Sequence, residues 1–77
     1  MPMGKLKIMA TYYERLQELR LSTGLLQKDI AASVGLALRS YQYYEKGERE
    51  PSASAILALA DYFGVSTDYL LGRSDEQ

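Results

Sequence analysis

The chain has 77 residues and a net charge of −1, with 47% hydrophobic and 25% charged residues. This length allows one domain with a modest core and leaves no room for a large substrate cavity, so no small-molecule substrate is expected. Cysteine is absent, which excludes a disulfide framework. No apolar run approaches the roughly 18 residues of a membrane helix, and the first ten residues lack the apolar core of a signal peptide. We therefore expect a cytoplasmic protein without membrane contact.

Enzymatic chemistry is not expected from this composition. Without histidine or cysteine, the chain lacks the common nucleophile and base pairs and the usual zinc ligands. The carboxylates Glu45, Glu48 and Glu50 follow one another in a polar stretch, where a solvated turn is favoured over acid–base catalysis. We expect no enzyme, no cofactor and no metal.

Glycines divide the chain into five apolar-periodic segments, because five of the six follow such a segment at a place where helices end. The first helix is predicted from about 9 to 23, the second from about 27 to 34 and the third from about 38 to 46. A fourth begins near Ser52 and a short fifth follows Ser66, both serines being candidate N-caps. The predicted core positions are Tyr12, Leu16 and Leu19 in the first helix and Ala53, Ile56, Leu59, Ala60 and Phe63 in the fourth, while Leu70 and Leu71 are apolar anchors of the fifth.

No strand signal is present, so the predicted fold is an all-α bundle. We expect one compact domain over residues 9–72, a flexible N-terminal extension over 1–8 and a flexible C-terminal tail over 73–77.

The second and third segments, QKDIAASVGLALRSYQYYEK, have the pattern of a helix-turn-helix. Ile30 and Val34 lie four residues apart, Tyr41 and Tyr44 three apart, and Gly35 falls where the first of the two helices must stop. The second helix of such a pair commonly lies in the DNA major groove. Sequence-specific binding of double-stranded DNA is therefore the leading hypothesis.

Four motifs, in order, resemble the lambda-repressor-like helix-turn-helix family, which includes Cro and the phage repressors and is often called the xenobiotic-response-element type. They are RLQELR, GLLQKDIAASVGL, YEKGEREPS and LALADYFGVSTDYLLG. The resemblance implies a compact five-helix DNA-binding domain, typical of bacterial or phage transcription regulators, repressors among them, that act as dimers. It also implies that Gln27 bonds a DNA phosphate, that the third helix is the recognition helix, and that Arg20 and Glu45 form a buried ion pair. Relatives usually carry Ser or Thr at the N-caps occupied here by Leu26 and Ala37.

Four side chains of the third helix are candidates for base contacts. Arg39 can pair with guanine, and Gln42 can pair with adenine. Tyr43 can place its hydroxyl on phosphate or its ring against a thymine methyl group, and Leu38 can pack on a thymine methyl group. The alternative for each is plain solvent exposure.

The phosphate-contact candidates besides Gln27 are Lys28, Ser40, Lys46 and Arg49. Lys28 lies at the start of the second helix, whose N–H groups and dipole favour anions. Glu48 and Glu50 would repel phosphate, and a solvated mixed-charge turn is the alternative for that segment. Residues 1–49 carry eight basic and five acidic residues, a net charge of +3, whereas 50–77 carry one basic and five acidic residues, a net charge of −4.

A single short recognition helix contacts few bases, so we expect a two-fold homodimer on paired half-sites. The segment GVSTDYLLG supplies candidates: Val65 and Leu70 are expected to close the core, while Tyr69 and Leu71 point elsewhere into the dimer contact. The alternative is that all four pack internally. The competing function is a protein-interaction module on the same fold, an antitoxin or anti-repressor, which the pI of about 5.3 and the apolar Leu38 and Tyr43 would suit.

Overall fold

The computed structural model describes residues 9–77, and these form five α-helices with no strand among them. The bounds are Tyr12–Thr23 for α1, Gln27–Ser33 for α2, Leu38–Lys46 for α3, Ala53–Phe63 for α4 and Thr67–Leu70 for α5. The all-α, five-helix prediction is confirmed. The predicted extension over 1–8 lies outside the described residues. No helix in the described part has the length and apolar character needed to cross a membrane.

The starts of the helices depend on which residue caps them. Thr11 and Glu14 form a capping box, so α1 begins three residues later than predicted. Ser52 and Ser66 accept hydrogen bonds from the first turns of α4 and α5, as predicted. Leu26 and Ala37 supply no such oxygen, so α2 and α3 begin without a side-chain cap.

The core lies where the helices converge, and its fully buried members come from all five of them: Leu16, Ile30, Tyr41, Leu59 and Leu70. One expectation for a core position was wrong. Ala53 is exposed, since it begins α4 beyond the packed interior, and Ala55 is buried instead. Leu71 points away from the core, as expected, and is 40% exposed, because α5 ends at Leu70 and the next side chain leaves the packed face.

Gly47 ends α3 at a place where a side chain would collide with a neighbouring ring. Its φ of 74° lies in the left-handed region, and a Cβ atom built there would come within 2.7 Å of the Tyr13 ring. The glycine therefore allows α1 and the end of α3 to approach closely.

The segment 73–77, expected to be a flexible tail, makes defined contacts with the domain. The backbone N–H of Arg73 donates to the carbonyl of Asp68 at 2.8 Å, and that of Ser66 donates to the carbonyl of Gln77 at 2.7 Å. Asp75 lies 3.0 Å from the guanidinium of Arg15. These contacts fold the segment back over the start of α5.

Candidate nucleic-acid interface

The α2–α3 pair is joined by a short turn that sets the two helices against each other. Gly35 adopts a φ of 74°, and the N–H of Leu36 donates to the carbonyl of Ala31 at 2.8 Å. Ile30 and Ala31 face the core from α2, and Tyr41 and Tyr44 face it from α3. This is the helix-turn-helix arrangement that the apolar spacing predicted.

The buried residues of α3 define the opposite, outward face of this helix. Since Tyr41, Tyr44 and Glu45 point inward, the helical period brings Arg39, Gln42 and Tyr43 together on the other side, while Leu38, two turns before Glu45, lies at the margin of that face. Of these, Leu38 is 41% exposed and Arg39 is exposed, while the side chains of Gln42 and Tyr43 are half-buried. Lys46 continues the outward face, and Ser40 lies at the margin opposite Leu38. We define this face as the α3 surface: Leu38, Arg39, Gln42, Tyr43 and Lys46.

Positive charge surrounds the α3 surface. Lys28, Arg39, Lys46 and Arg49 are exposed, and over residues 9–77 none of the four takes part in an ion pair. The remaining interior cations of α1, Arg15 and Arg20, are both paired. Arg73 in the C-terminal segment is exposed and unpaired as well, so four of the five unpaired cations within residues 9–77 lie on α2, on α3 and in the turn after α3.

Arg49 is held in a way that its sequence position does not reveal. Its guanidinium lies 4.8 Å from the centre of the Tyr43 ring, and its carbonyl accepts a hydrogen bond of 2.9 Å from the Tyr12 hydroxyl. A cation over an aromatic face is attracted by the ring quadrupole. Arg49 and Tyr43 thus form one stacked unit at the end of the α3 surface, beside the exposed Glu48 and Glu50.

The structure brings Arg20 and Glu45 together in a largely buried pair. The Nε of Arg20 lies 2.7 Å from Oε2 of Glu45, with side-chain exposures of 23% and 4%. The Tyr41 hydroxyl donates to the same oxygen at 2.6 Å, and Gln27 donates to Oε1 at 3.1 Å. Burial by itself would raise the pKa of Glu45, but hydrogen bonds donated by Arg20, Tyr41 and Gln27 outweigh it and lower the pKa. Burial and the adjacent carboxylate raise the pKa of Tyr41.

Two contacts of this network were not predicted from the sequence. The amide of Gln42 donates to Oε1 of Gln27 at 3.3 Å, and the amide of Gln17 donates to the backbone carbonyl of Glu45. Gln27 therefore contacts two residues of α3 as well as facing the solvent in part. The sequence shows Gln27 at the start of α2 and Gln42 in the middle of α3, but it does not show that they meet, because their contact depends on the angle between the two helices.

The two predicted dimer residues have different surroundings. Tyr69 is half-buried and carries the Arg15 guanidinium 3.8 Å from its ring centre, so it does not point freely outward as expected. The buried Arg15 thus has the Tyr69 ring as one partner and Asp75 as the other. Leu71 is exposed, Leu70 is buried and Val65 is half-buried.

No metal cluster marks another site in the described residues. No group of acidic side chains there could hold a metal ion. A shallow depression of about 410 Å³ is lined by Ser33, Val34, Ala58, Asp61 and Tyr62, none of which belongs to the α3 surface.

Comparison with known proteins places this geometry in a family. A helix-turn-helix family model matches residues 16–70. The transcriptional regulator ImmR of Bacillus subtilis is 36% identical over 62 residues, which cover 80% of this chain and 49% of ImmR. The prophage-derived regulator YonR of the same organism is 40% identical over 64 residues, covering 83% of this chain and 59% of YonR. The chain thus spans about half the length of these relatives, which are named as regulators rather than enzymes.

The fold also matches a solved protein–DNA complex. The P22 c2 repressor bound to a synthetic operator superposes with a TM-score of 0.79 at 28% identity, covering 84% of this chain and 98% of that one. The matched helices, the α2–α3 geometry and the family model agree with the resemblance inferred from the four motifs. The chain therefore belongs to the lambda-repressor-like helix-turn-helix family.

Proposed function

We propose that the chain binds double-stranded DNA sequence-specifically and regulates transcription, as a repressor. The observation that carries the proposal is the α3 surface, an outward helix face with polar, apolar and cationic side chains beside exposed Lys28 and Arg49. A helix of this kind fits the major groove, where base edges offer hydrogen bonds and thymine methyl groups. The likeness to the P22 c2 repressor–operator complex supports this orientation. The role implies a cytoplasmic location.

In this proposal Arg39, Gln42, Leu38 and Tyr43 contact bases. The phosphate contacts are made by Gln27, Lys28, Ser40, Lys46 and Arg49. The division follows from position, since the first group faces outward from α3 and most of the second lies at helix ends and in the following turn. The proposed Arg49 contact gains support from its stacking on Tyr43, because a guanidinium already held in place loses less freedom when it binds phosphate.

Selection of bound sequences from a random duplex pool, followed by affinity measurement at two salt concentrations, tests the proposal. We expect an enriched inverted repeat and affinity that falls steeply with salt, because phosphate contacts release counterions. A pool without enrichment and binding without salt dependence would contradict DNA recognition. That outcome would favour the protein-interaction module, for which the exposed Leu38 is the supporting observation.

The proposal includes a homodimer that forms through the C-terminal part of the domain. Leu71 is the better candidate for the contact, since its side chain is exposed whereas Tyr69 is engaged by Arg15. Leu71→Glu would place a charge in the contact, and we expect two protomers per operator for the wild type and weaker, singly occupied complexes for the variant. The exposed Leu21 offers a matched control, because Leu21→Glu makes the same change on α1. One protomer per operator for all three proteins, at equal affinity, would rule out this dimer.

A further inference from the structure

The segment 73–77 is attached to the domain through a buried cation of α1. Arg15 is only 5% exposed, and its guanidinium lies 3.0 Å from the Asp75 carboxylate and 3.8 Å from the centre of the Tyr69 ring. A buried cation without partners costs free energy, so these contacts satisfy Arg15 and fix the path of the segment. The Asp75 side chain is itself 74% exposed. The pair therefore joins the interior to a segment that water can reach.

The same segment also clamps α5 at both ends. At the start of the helix, the backbone N–H of Ser66 donates to the carbonyl of Gln77 at 2.7 Å. At its end, the N–H of Arg73 donates to the carbonyl of Asp68 at 2.8 Å. A helix of only four residues is not stable in water by itself. The position of α5 therefore depends on the contacts that hold its two ends.

Leu71, the candidate for the dimer contact, lies within this clamp. It follows α5 directly, and its exposed side chain stands between the buried residues Leu70 and Gly72. The carbonyl of Gly72 accepts a hydrogen bond of 2.8 Å from the N–H of Met9. A few residues further on, Asp75 fixes the chain again. The direction in which Leu71 faces the solvent is thus set by contacts on both sides of it.

We propose that the pairing of Asp75 with Arg15 is a latch that holds Leu71 where it can meet a second copy of this chain. This inference rests on the proposed function, whose dimer contact it deepens. Asp75 is then a positioning residue that acts through Arg15. When the latch opens, Arg15 keeps the Tyr69 ring, so the domain stays folded while the end of α5 moves more freely. Binding to a contact that is formed only part of the time weakens in proportion to that fraction.

Asp75→Asn opens the latch, because it removes the charge of the carboxylate and changes its shape little. Glu76→Gln is the matched control, since it removes the same charge from the neighbouring residue. The side chain of Glu76 takes part in no hydrogen bond or ion pair within residues 9–77. Leu71→Glu, alone and combined with Asp75→Asn, tests whether the latch acts through Leu71. Thermal unfolding establishes that each variant is folded.

Hydrogen exchange measures the latch directly. The amides of Leu71, Gly72 and Arg73 donate to backbone carbonyls of α5. We expect these three amides to exchange at least about fivefold faster in Asp75→Asn and to stay within about twofold of the wild type in Glu76→Gln. The amides of α2 and α3 should exchange at the wild-type rate in both variants.

DNA binding measures the consequence for the dimer. Affinity is compared, at one salt concentration, for a duplex with one selected half-site and for a duplex with two. The ratio of the two affinities is the gain from the second half-site. We expect Asp75→Asn to reduce this gain about tenfold or more without changing half-site affinity, and Glu76→Gln to keep it within about twofold. In the Leu71→Glu background, Asp75→Asn should cause no further loss, because changes that act through one contact do not add.

The outcomes separate this inference from the function on which it rests. If the wild type enriches no sequence, or gains nothing from a second half-site, the proposed function or its dimer fails and the inference fails with it. If the wild type gains and Asp75→Asn keeps the whole gain, the inference alone is wrong. Equal losses for one and for two half-sites would also overturn it. Faster exchange in all five helices would show that Asp75 supports the whole fold rather than the dimer contact, which again contradicts a latch.

Discussion

Removing Arg20 should destabilise the fold strongly, because it would leave the Glu45 carboxylate in the interior without its cationic partner. The Glu45 side chain is only 4% exposed, and after Arg20→Ala it would keep just the hydrogen bonds from Tyr41 and Gln27. Breaking a buried pair typically costs about 3–5 kcal/mol. Arg20 is itself 23% exposed, so water reaches part of the pair and the lower end, about 3 kcal/mol, is the expected loss.

A loss of this size is large compared with the stability of so small a domain. If the free energy of unfolding of the wild type is about 5 kcal/mol, Arg20→Ala would retain about 2 kcal/mol. Its melting temperature would fall by more than about 10 °C. Glu45→Ala should cost a similar amount, since it also orphans the buried Tyr41 hydroxyl. Urea and thermal unfolding followed by circular dichroism measure both changes, and the double variant gives the coupling energy of the pair. Glu18→Ala removes an exposed carboxylate from α1 and serves as the control.

A stabilising role for the Arg20–Glu45 pair would be contradicted if each single variant lowered the free energy of unfolding by less than about 0.5 kcal/mol, which is in the range of exposed ion pairs. Additive losses in the double variant would also contradict the reasoning, because residues within one hydrogen-bonded network should couple.

Three further predictions concern acid stability, backbone strain and DNA contacts. Folding lowers the pKa of Glu45, so the ionised carboxylate stabilises the fold fully above the ordinary glutamate pKa of 4.5. This stabilisation is lost as the pH falls through the lower pKa of the folded state. The melting temperature of Glu45→Gln should therefore decline less on acidification than that of the wild type. An equal decline in both proteins would assign acid unfolding to other carboxylates. Gly47→Ala should lower the free energy of unfolding more than Gly24→Ala. Both glycines have left-handed φ angles, which cost a residue with a side chain about 1–2 kcal/mol, but only at Gly47 would the new Cβ also collide with the Tyr13 ring. Equal losses of stability in the two variants would show that the ring moves freely. Lys28→Ala should weaken binding to all duplexes and flatten the salt slope by about one, whereas Arg39→Ala should relax preference at one base position at a cost of about 1–3 kcal/mol. Equal effects of Arg39→Ala on matched and scrambled duplexes would contradict its role in base recognition.

The helices and most of the core were predictable because their signals are local. Apolar spacing and the glycines located all five helices, and Ser52 and Ser66 were identified as caps from their type and place. The start of α1 was missed, since the capping box of Thr11 and Glu14 is a weaker signal than the apolar residues that precede it. Ala53 was misassigned because helical phase alone does not tell where along α4 the neighbouring helices stop.

The interface was predictable in its members but not in their contacts. The third helix and its outward residues follow from the α2–α3 pattern. Gln42 contacts Gln27, 15 positions earlier in the chain, and this contact depends on the angle between α2 and α3. Arg49 contacts Tyr43, six positions earlier, and this contact depends on the path of the turn after α3. Arg15 contacts both the Tyr69 ring and Asp75, and the second contact requires the C-terminal segment to fold back, which no periodicity indicates.

The missing caps of α2 and α3 determine where the molecule opens most easily. Both helices begin with N–H groups that no side-chain oxygen satisfies, while α1, α4 and α5 are capped. A missing cap costs about 1 kcal/mol, so we expect the first turns of α2 and α3 to fray before the other helix starts and to exchange their amide hydrogens faster. An anion bound at either start supplies the absent acceptor and recovers this energy. Occupancy of the interface by a polyanion would therefore protect these two turns from exchange and raise the melting temperature of the whole domain.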